Sequence, residues 1–254
     1  MGDGGRPRMW DWWVNRVLKI YRNSNCLIGQ ATAELTRFSK VIGVDPSPGM
    51  IRTAAANNPH PRYIFKQGNA DNLSGVIDDS SVDLVIAAQA CHWFDYDKVW
   101  GEMERILRPG GSLAFWVYGE FRLGGYPELD DAIEKFMQGV DPTTSLGPHF
   151  QRPGRTILER LLVDVPEPGP EMGLEKLGRE RMVMHKTMTW GALLDYLRTA
   201  SAVHAFHERY PDAEDITLRF WEKLRGNSDT ELVDVHWPLS LLLTRRKHNA
   251  HNTA

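Results

Sequence analysis

The chain has 254 residues, ordinary apolar, charged and aromatic fractions and a formal charge of −3. This is enough chain for one large α/β domain, or for a domain with a sizeable insertion. The charge argues against a nucleic-acid binder, because phosphate neutralisation leaves a basic signature. The one tight basic cluster, Arg245-Arg246-Lys247-His248, reads as a solvated C-terminus.

Cys26 and Cys91 are the two cysteines. They are too few for a disulfide framework and form no zinc-type pair, so no metal site is expected. The N-terminus lacks the basic start and apolar core of a secretory signal. The longest late apolar run, 239–243, is too short to span a bilayer. The expectation is a soluble cytoplasmic protein with no membrane partner.

In chain order, residues 9–21 place Trp10, Trp13, Val14, Val17, Leu18 and Tyr21 at 3–4 spacing, which predicts an amphipathic helix. Residues 31–38 read as a short helix. Residues 40–44 form a β-branched apolar run ending in Asp45, the pattern of a buried parallel strand. Ser47 and Pro48 then suit the N-cap and first position of a helix over 47–57. A strand is predicted at 63–65, another at 82–88, and a helix at 95–107 that stops at Arg108-Pro109-Gly110-Gly111 before a strand at 112–118. Strands alternating with helices of this length indicate a doubly wound parallel sheet.

The rhythm breaks after Glu120. Residues 121–181 are rich in glycine and proline, with short helices at 129–137 and 155–162, and read as an insertion beside the site. A strand at 182–188, a helix at 190–206, another at 212–224 and a final strand at 235–244 follow. Pro238 inside the last strand predicts a bulge or the strand's start.

In such folds, ligands bind outside the carboxyl ends of the strands, where strand order reverses. Asp45 stands at one such end, where a carboxylate can accept from both hydroxyls of a ribose, although aspartate also makes an ordinary helix N-cap. Gln67-Gly68-Asn69-Ala70-Asp71 follows the next strand; Asn69 or Asp71 could accept from an adenine amine, and equally the run could be a polar turn. Gln89-Ala90-Cys91-His92-Trp93 follows the strand at 82–88, so His92 and Trp93 could line a boundary between cofactor and substrate.

In this order the pieces resemble the class I methyltransferases that use S-adenosylmethionine (SAM), within the methyltransferase type 11 group, and are similar to the fungal trans-aconitate methyltransferase-like proteins. The resemblance rests on GQATAEL at 29–35, VIGVDPSPGMI at 41–51, QGNADNL at 67–73, SVDLVIAAQACHWFD at 81–95 and ILRPGGSLAFWVYG at 106–119. YLRTASAVHAF at 196–206 and WPLSLLLTRR at 237–246 extend it. It implies a Rossmann-like, mostly parallel sheet with an antiparallel final strand and a helical cap insertion. The implied divisions are an atypical segment at 1–25, a SAM-binding core at 26–120, a cap at 121–181, the rest of the same domain at 182–247 and a disordered tail at 248–254.

The resemblance also implies a site. Gly29, Asp45, Pro46, Asn69, Ala70, Asp71, Gln89 and Ala90 would hold SAM, and His92, Trp93 and Tyr126 would face a small-molecule substrate, with a carboxylate as one candidate acceptor. Arg122, His149 and Arg152 are further candidates for contact with an acidic substrate. No catalytic residue is assigned.

One departure stands out. The family's first strand ends in a GxGxG loop, and counting back about 20 residues from Asp45 places its glycines at 25, 27 and 29. This chain has Asn25, Leu27 and Gly29 there, and the preceding Tyr21-Arg22-Asn23-Ser24 does not read as an apolar strand. The expectation is that the first strand and half the loop are replaced. Either SAM affinity is reduced, or the chain is a truncated or differently spliced form.

Two further readings stay open. A nicotinamide-dependent oxidoreductase shares the fold and the acidic strand end, but no tyrosine here is followed four residues later by lysine. A pseudo-methyltransferase acting as a scaffold would explain the altered loop.

Glycine permits the close backbone approach and positive φ that leucine denies. Asn25→Gly with Leu27→Gly is therefore expected to tighten SAM binding in titration calorimetry, the more so if residues 9–25 pack onto the sheet and hold the loop.

Overall fold

The computed structural model describes the backbone of residues 16–20, and residues 38–224 and 229–248 in full. One sheet organises the chain. Its strands are β1 (Arg16–Ile20), β2 (Lys40–Asp45), β3 (Tyr63–Gln67), β4 (Val82–Ala88), β5 (Leu107–Tyr118), β6 (Arg122–Leu123), β7 (Leu174–Thr189) and β8 (Leu232–Arg246). The helices are α1 (Pro48–Asn57), α2 (Tyr96–Ile106), α3 (Asp130–Gln138), α4 (Gly154–Glu159), α5 (Trp190–Arg198), α6 (Ser201–Arg209) and α7 (Ile216–Leu224).

The sheet runs β3-β2-β1-β4-β5-β8, parallel from β3 to β5 and antiparallel at β8. One edge of β8 pairs first with β5 and then with the short β6, and the other edge pairs with β7 along its whole length. The mostly parallel, doubly wound sheet with a reversed last strand is the expected architecture.

Several elements differ from the predicted ones. Residues 16–20 form a strand, β1, between β2 and β4, so the helix predicted over 9–21 is wrong there and the first strand is not lost. Its apolar positions Val17, Leu18 and Ile20 suit either periodicity in so short a run, and pairing with two neighbours decides for the strand. The helices predicted at 129–137 and 155–162 are α3 and the shorter α4. β5 begins at Leu107, with Pro109 and Gly110 inside it; the register slips between Val82 and Leu84 to accommodate them. β7 starts at Leu174, eight residues before the predicted strand, and the helix predicted over 190–206 is two helices, α5 and α6.

Pro238 marks neither a bulge nor a start. The Gly119 N–H donates to the Pro238 carbonyl at 2.8 Å, so the backbone of Pro238 faces the gap between Tyr118 of β5 and Arg122 of β6. No strand there needs the N–H that proline lacks.

Burial along β8 changes parity at this proline. Val233, Val235 and Trp237 are buried before it; Ser240, Leu242 and Thr244 are buried after it. Side chains alternate across a strand, so the two sets face opposite sides of the sheet. Leu242 belongs to the main core, with Val85, Val99, Trp100, Leu113 and Phe115. Val233, Val235 and Trp237 belong to a second core with Phe121, Phe136, Trp190, Phe206 and Trp221. The second core grows from just beyond the carboxyl end of β5, with Phe121 and with Leu123 of β6.

Trp100 of α2 anchors the main core. It is buried, stacks on Phe115 at 5.9 Å and donates from its indole to the Pro166 carbonyl at 3.1 Å. Trp100→Ala is expected to destabilise the fold by about 3–5 kcal/mol, read as a lowered midpoint in urea unfolding.

Candidate functional site

The strand order reverses between β1 and β4, so the carboxyl ends of β2, β1 and β4 converge on one crevice. Asp45 ends β2 and is 2% exposed. Its Oδ1 accepts from the Ser47 N–H at 2.7 Å, while Ser47 itself caps α1 through the Met50 N–H at 3.4 Å. The capping role is thus carried by Ser47, and Asp45 holds the turn that leads from β2 to α1.

The loop after β3 is tied to the same place. Gly68 donates to the Asp45 carbonyl at 3.1 Å, and Gln67 Nε2 donates to the Pro46 carbonyl at 3.1 Å. A Cβ on Gly68 would meet Val44 at 3.1 Å, so the loop reaches this position because no side chain intervenes. Ala70 is buried beneath it. Asn69 Nδ2 donates to Asp71 Oδ2 at 3.1 Å, and Asp71 Oδ1 accepts from the Asp95 N–H at 3.3 Å. Asp71 therefore joins this loop to the start of α2. The Asn69 amide nitrogen thus donates within the loop.

Gln89 follows β4 with φ of +51°, a left-handed conformation that non-glycine residues rarely adopt. Its N–H donates to the Trp116 carbonyl at 3.1 Å and its Nε2 to the Tyr118 carbonyl at 3.0 Å. That second bond fixes which side-chain atom is nitrogen. The remaining atom, Oε1, is buried with no hydrogen-bond partner among the described residues. Ala90 is fully buried, and residues 91–93 form a 3₁₀ turn. His92 is buried with its ring 5.1 Å from Trp93. A Cβ on Gly154 would lie 2.4 Å from the Trp93 ring, so α4 can pack on this turn only through glycine.

Burial pushes the Cys91 thiol up to about 12 and raises the Tyr96 hydroxyl well above its ordinary value; that hydroxyl donates to the Cys91 carbonyl at 2.9 Å. Neither group ionises near neutrality.

Asp45, Pro46, Asn69, Ala70, Asp71, Gln89, Ala90, His92 and Trp93 thus share one edge of the sheet. Gly29, Asn25 and Leu27 lie outside the described residues. Tyr126 is placed in the second core, edge-on to Trp190 at 5.6 Å. His149 is also buried there, bonded to the Pro142 carbonyl at 2.8 Å and packed against Phe206, so its expected contact with an acidic substrate gives way to a packing role. Arg122 faces Asp130 and Glu134, and Arg152 faces Thr156 and Glu159.

Sequence reasoning missed two groups. Arg155 is buried between Glu120 and Glu159, 3.0 Å from the latter, with its guanidinium 3.8 Å over the Phe150 ring. The Arg155–Glu159 spacing of four on a helix was the available signal. Glu102 accepts from the Leu73 N–H at 2.7 Å and pairs with Arg105 at 2.9 Å, fixing the far end of the 67–73 loop. No sequence signal links positions so far apart. Among the described residues no group of three or more metal-ligating side chains forms a metal site, and no helix is long and apolar enough to cross a membrane.

Strand order, the acidic end of β2 and the two loops beside it match the architecture of the class I methyltransferases, the enzymes that take a methyl group from SAM. The comparisons with known proteins agree. The methyltransferase-domain family matches residues 24–115. A Dictyostelium discoideum protein inferred to be a methyltransferase is 28% identical over 225 residues, 86% of this chain and 79% of the relative. An uncharacterized methyltransferase of Mycobacterium tuberculosis is 34% identical over 129 residues, 50% of this chain and 51% of the relative. The solved structure of an inferred type II methyltransferase from Anaeromyxobacter dehalogenans superposes with a TM-score of 0.71 at 29% identity, covering 93% of this chain and 92% of that one.

The hydrogen bond from Arg105 holds the Glu102 carboxyl below its ordinary range, against the opposing effect of burial. A depressed carboxylate stabilises the fold above its unfolded pKa, about 4.3, and loses that contribution as pH falls through the folded value. Glu102→Gln is therefore expected to lower unfolding stability by about 1.5–3 kcal/mol at neutral pH. The difference from the parent should shrink below about pH 4, as measured by urea titrations across pH.

Proposed function

We propose that this chain transfers a methyl group from SAM to a small-molecule acceptor at the crevice between β1, β2 and β4. The observation that carries the reading is the buried Gln89 Oε1, an acceptor held rigidly at the strand-order reversal and short of a donor among the described residues. Such an atom suits the ammonium of an amino-acid moiety. Asp45 would accept from the ribose hydroxyls, and Asn69, Ala70 and Asp71 would line the adenine. Pro46 would shape the floor between them, and Gly29 would belong to the loop that closes the crevice. SAM, when bound, supplies an electrophilic methyl group.

The rest of the work falls to orientation and exclusion of water. Residues 121–181 would act as the cap, and α4, seated on Trp93 through Gly154, would hold the substrate side shut. His92 and Trp93 would border the acceptor, with Tyr126 further out in the cap. A carboxylate acceptor is already ionised and needs no general base. The neutral Cys91 and Tyr96 are consistent with that, and so is the acceptor class suggested by the resemblance to trans-aconitate methyltransferase-like proteins. Arg152 and Arg155 already face carboxylates, so recognition of an acid would rest on hydrogen bonding and shape more than on a spare cation.

Asp45→Ala should weaken SAM binding by about 1.5–3 kcal/mol in calorimetry, with the melting temperature of the apo protein checked alongside. Unchanged affinity in a folded variant would remove Asp45 from the site. Stabilisation by a nicotinamide dinucleotide but not by SAM in a thermal-shift assay would instead favour the oxidoreductase reading. Methyl transfer to acceptors of high pKa, at a rate lost in His92→Ala, would overturn the carboxylate assignment.

A further inference from the structure

The outer edge of the sheet has no partner strand among the described residues. β7 is paired along its full length with β8 on one side and with nothing on the other. Edges of this length are templates for another strand, and proteins ordinarily blunt them. Here the edge also carries apolar residues in the open, Met182 at 54%, Val183 at 53% and Met184 at 37% exposure.

The backbone geometry determines which residues of β7 can pair outward. Val183 lies opposite Pro238, and the Pro238 carbonyl points the other way, toward Gly119. In an antiparallel ladder, directly opposite residues either exchange both hydrogen bonds or turn both away. The N–H and C=O of Val183 therefore face outward, and by alternation so do those of Arg179, Arg181, His185 and Thr187.

We propose that β7 joins a second copy of this chain, the two edge strands pairing antiparallel with Val183 on the twofold axis. A twofold axis perpendicular to a continuous sheet keeps each residue on its own face, so every pair must sum to twice the central residue number. Centring on Arg181 or Glu180 sets like charges against each other, which is destabilising in directly opposed positions. Centring on Met182 leaves Glu180 opposite Met184 and Lys186 opposite Gly178, and centring on Met184 leaves both opposite methionines. Centring on Val183 alone puts Glu180 opposite Lys186 of the partner, twice by symmetry. It also sets Met182 against Met184, twice, and Val183 against itself. The two methionines share the face of Leu239 and Trp237, their partners in β8, so the four from both copies gather into one apolar strip closed at each end by an ion pair. An isologous interface needs this self-complementarity, and an unrelated partner would have no reason to match it.

The experiment uses the full chain in sedimentation velocity and light scattering, with circular dichroism to confirm folding. The parent is expected to sediment with twice the chain mass at about 100 µM or below, a concentration that detects even modest affinity. Glu180→Lys and Lys186→Glu, each at an exposed edge position, should each weaken dimerisation by about tenfold or more. Mixing these two variants should regenerate a heterodimer, because each then supplies the charge the other lacks, and the double reversal should dimerise with itself. Val183→Pro, which removes the central outward N–H, should be monomeric. A monomeric parent at that concentration overturns the proposal. So does a dimer indifferent to the charge reversals, or a pair of folded single variants that fails to assemble on mixing.

Discussion

The structure depends on β8 being hydrogen-bonded on both of its edges. Its second half closes the main core against β5 through Leu242, while its first half, on the opposite face, carries the second core through Val233, Val235 and Trp237. A strand paired on both sides cannot slide by one residue without turning every buried side chain outward. One element thereby fixes the positions of both cores, and the gap opposite Pro238 is where the ladder passes from β5 to β6.

That constraint reaches the site through β5. The carbonyls of Trp116 and Tyr118 hold the backbone and side chain of Gln89 in an unfavourable left-handed conformation. The strain is of the size that surrounding structure must over-determine to maintain. The loop after β3 is fixed in turn by Gly68, Asp71 and Glu102, each acting through a hydrogen bond to a backbone carbonyl or N–H. The crevice is thus held in place by hydrogen bonds to the backbone around it, and the orienting role proposed for it requires a site preorganised in this way.

The segment after β5 is held in the same way. The buried Arg155 is held by Glu120, just past the end of β5, and by Glu159 on its own helix. Removing one member of such a group leaves an uncompensated buried charge, so α4 is tied to the strand end as well as to the Trp93 ring. The second core then supports the outer helices, with His149 and Tyr126 serving as packing rings within it.

Local pattern was enough to read the alternation of strands and helices from 40 to 118, the Ser47 and Pro48 start of α1, and the placing of Asp45 at the end of a strand and of Asn69, Asp71 and Gln89 after strands. These follow from local periodicity and from residues with restricted backbone preferences, which need no distant partner. Tertiary structure alone decided the rest. Residues 16–20 are a strand because β2 and β4 pair with them, and β7 extends to Leu174 because β8 continues far enough to pair with it. Glu102, Arg155 and the unmatched oxygen of Gln89 gain their meaning from groups many residues away. Hydrogen-bond pairing and burial are relations between distant segments, and no local pattern encodes which segments will meet.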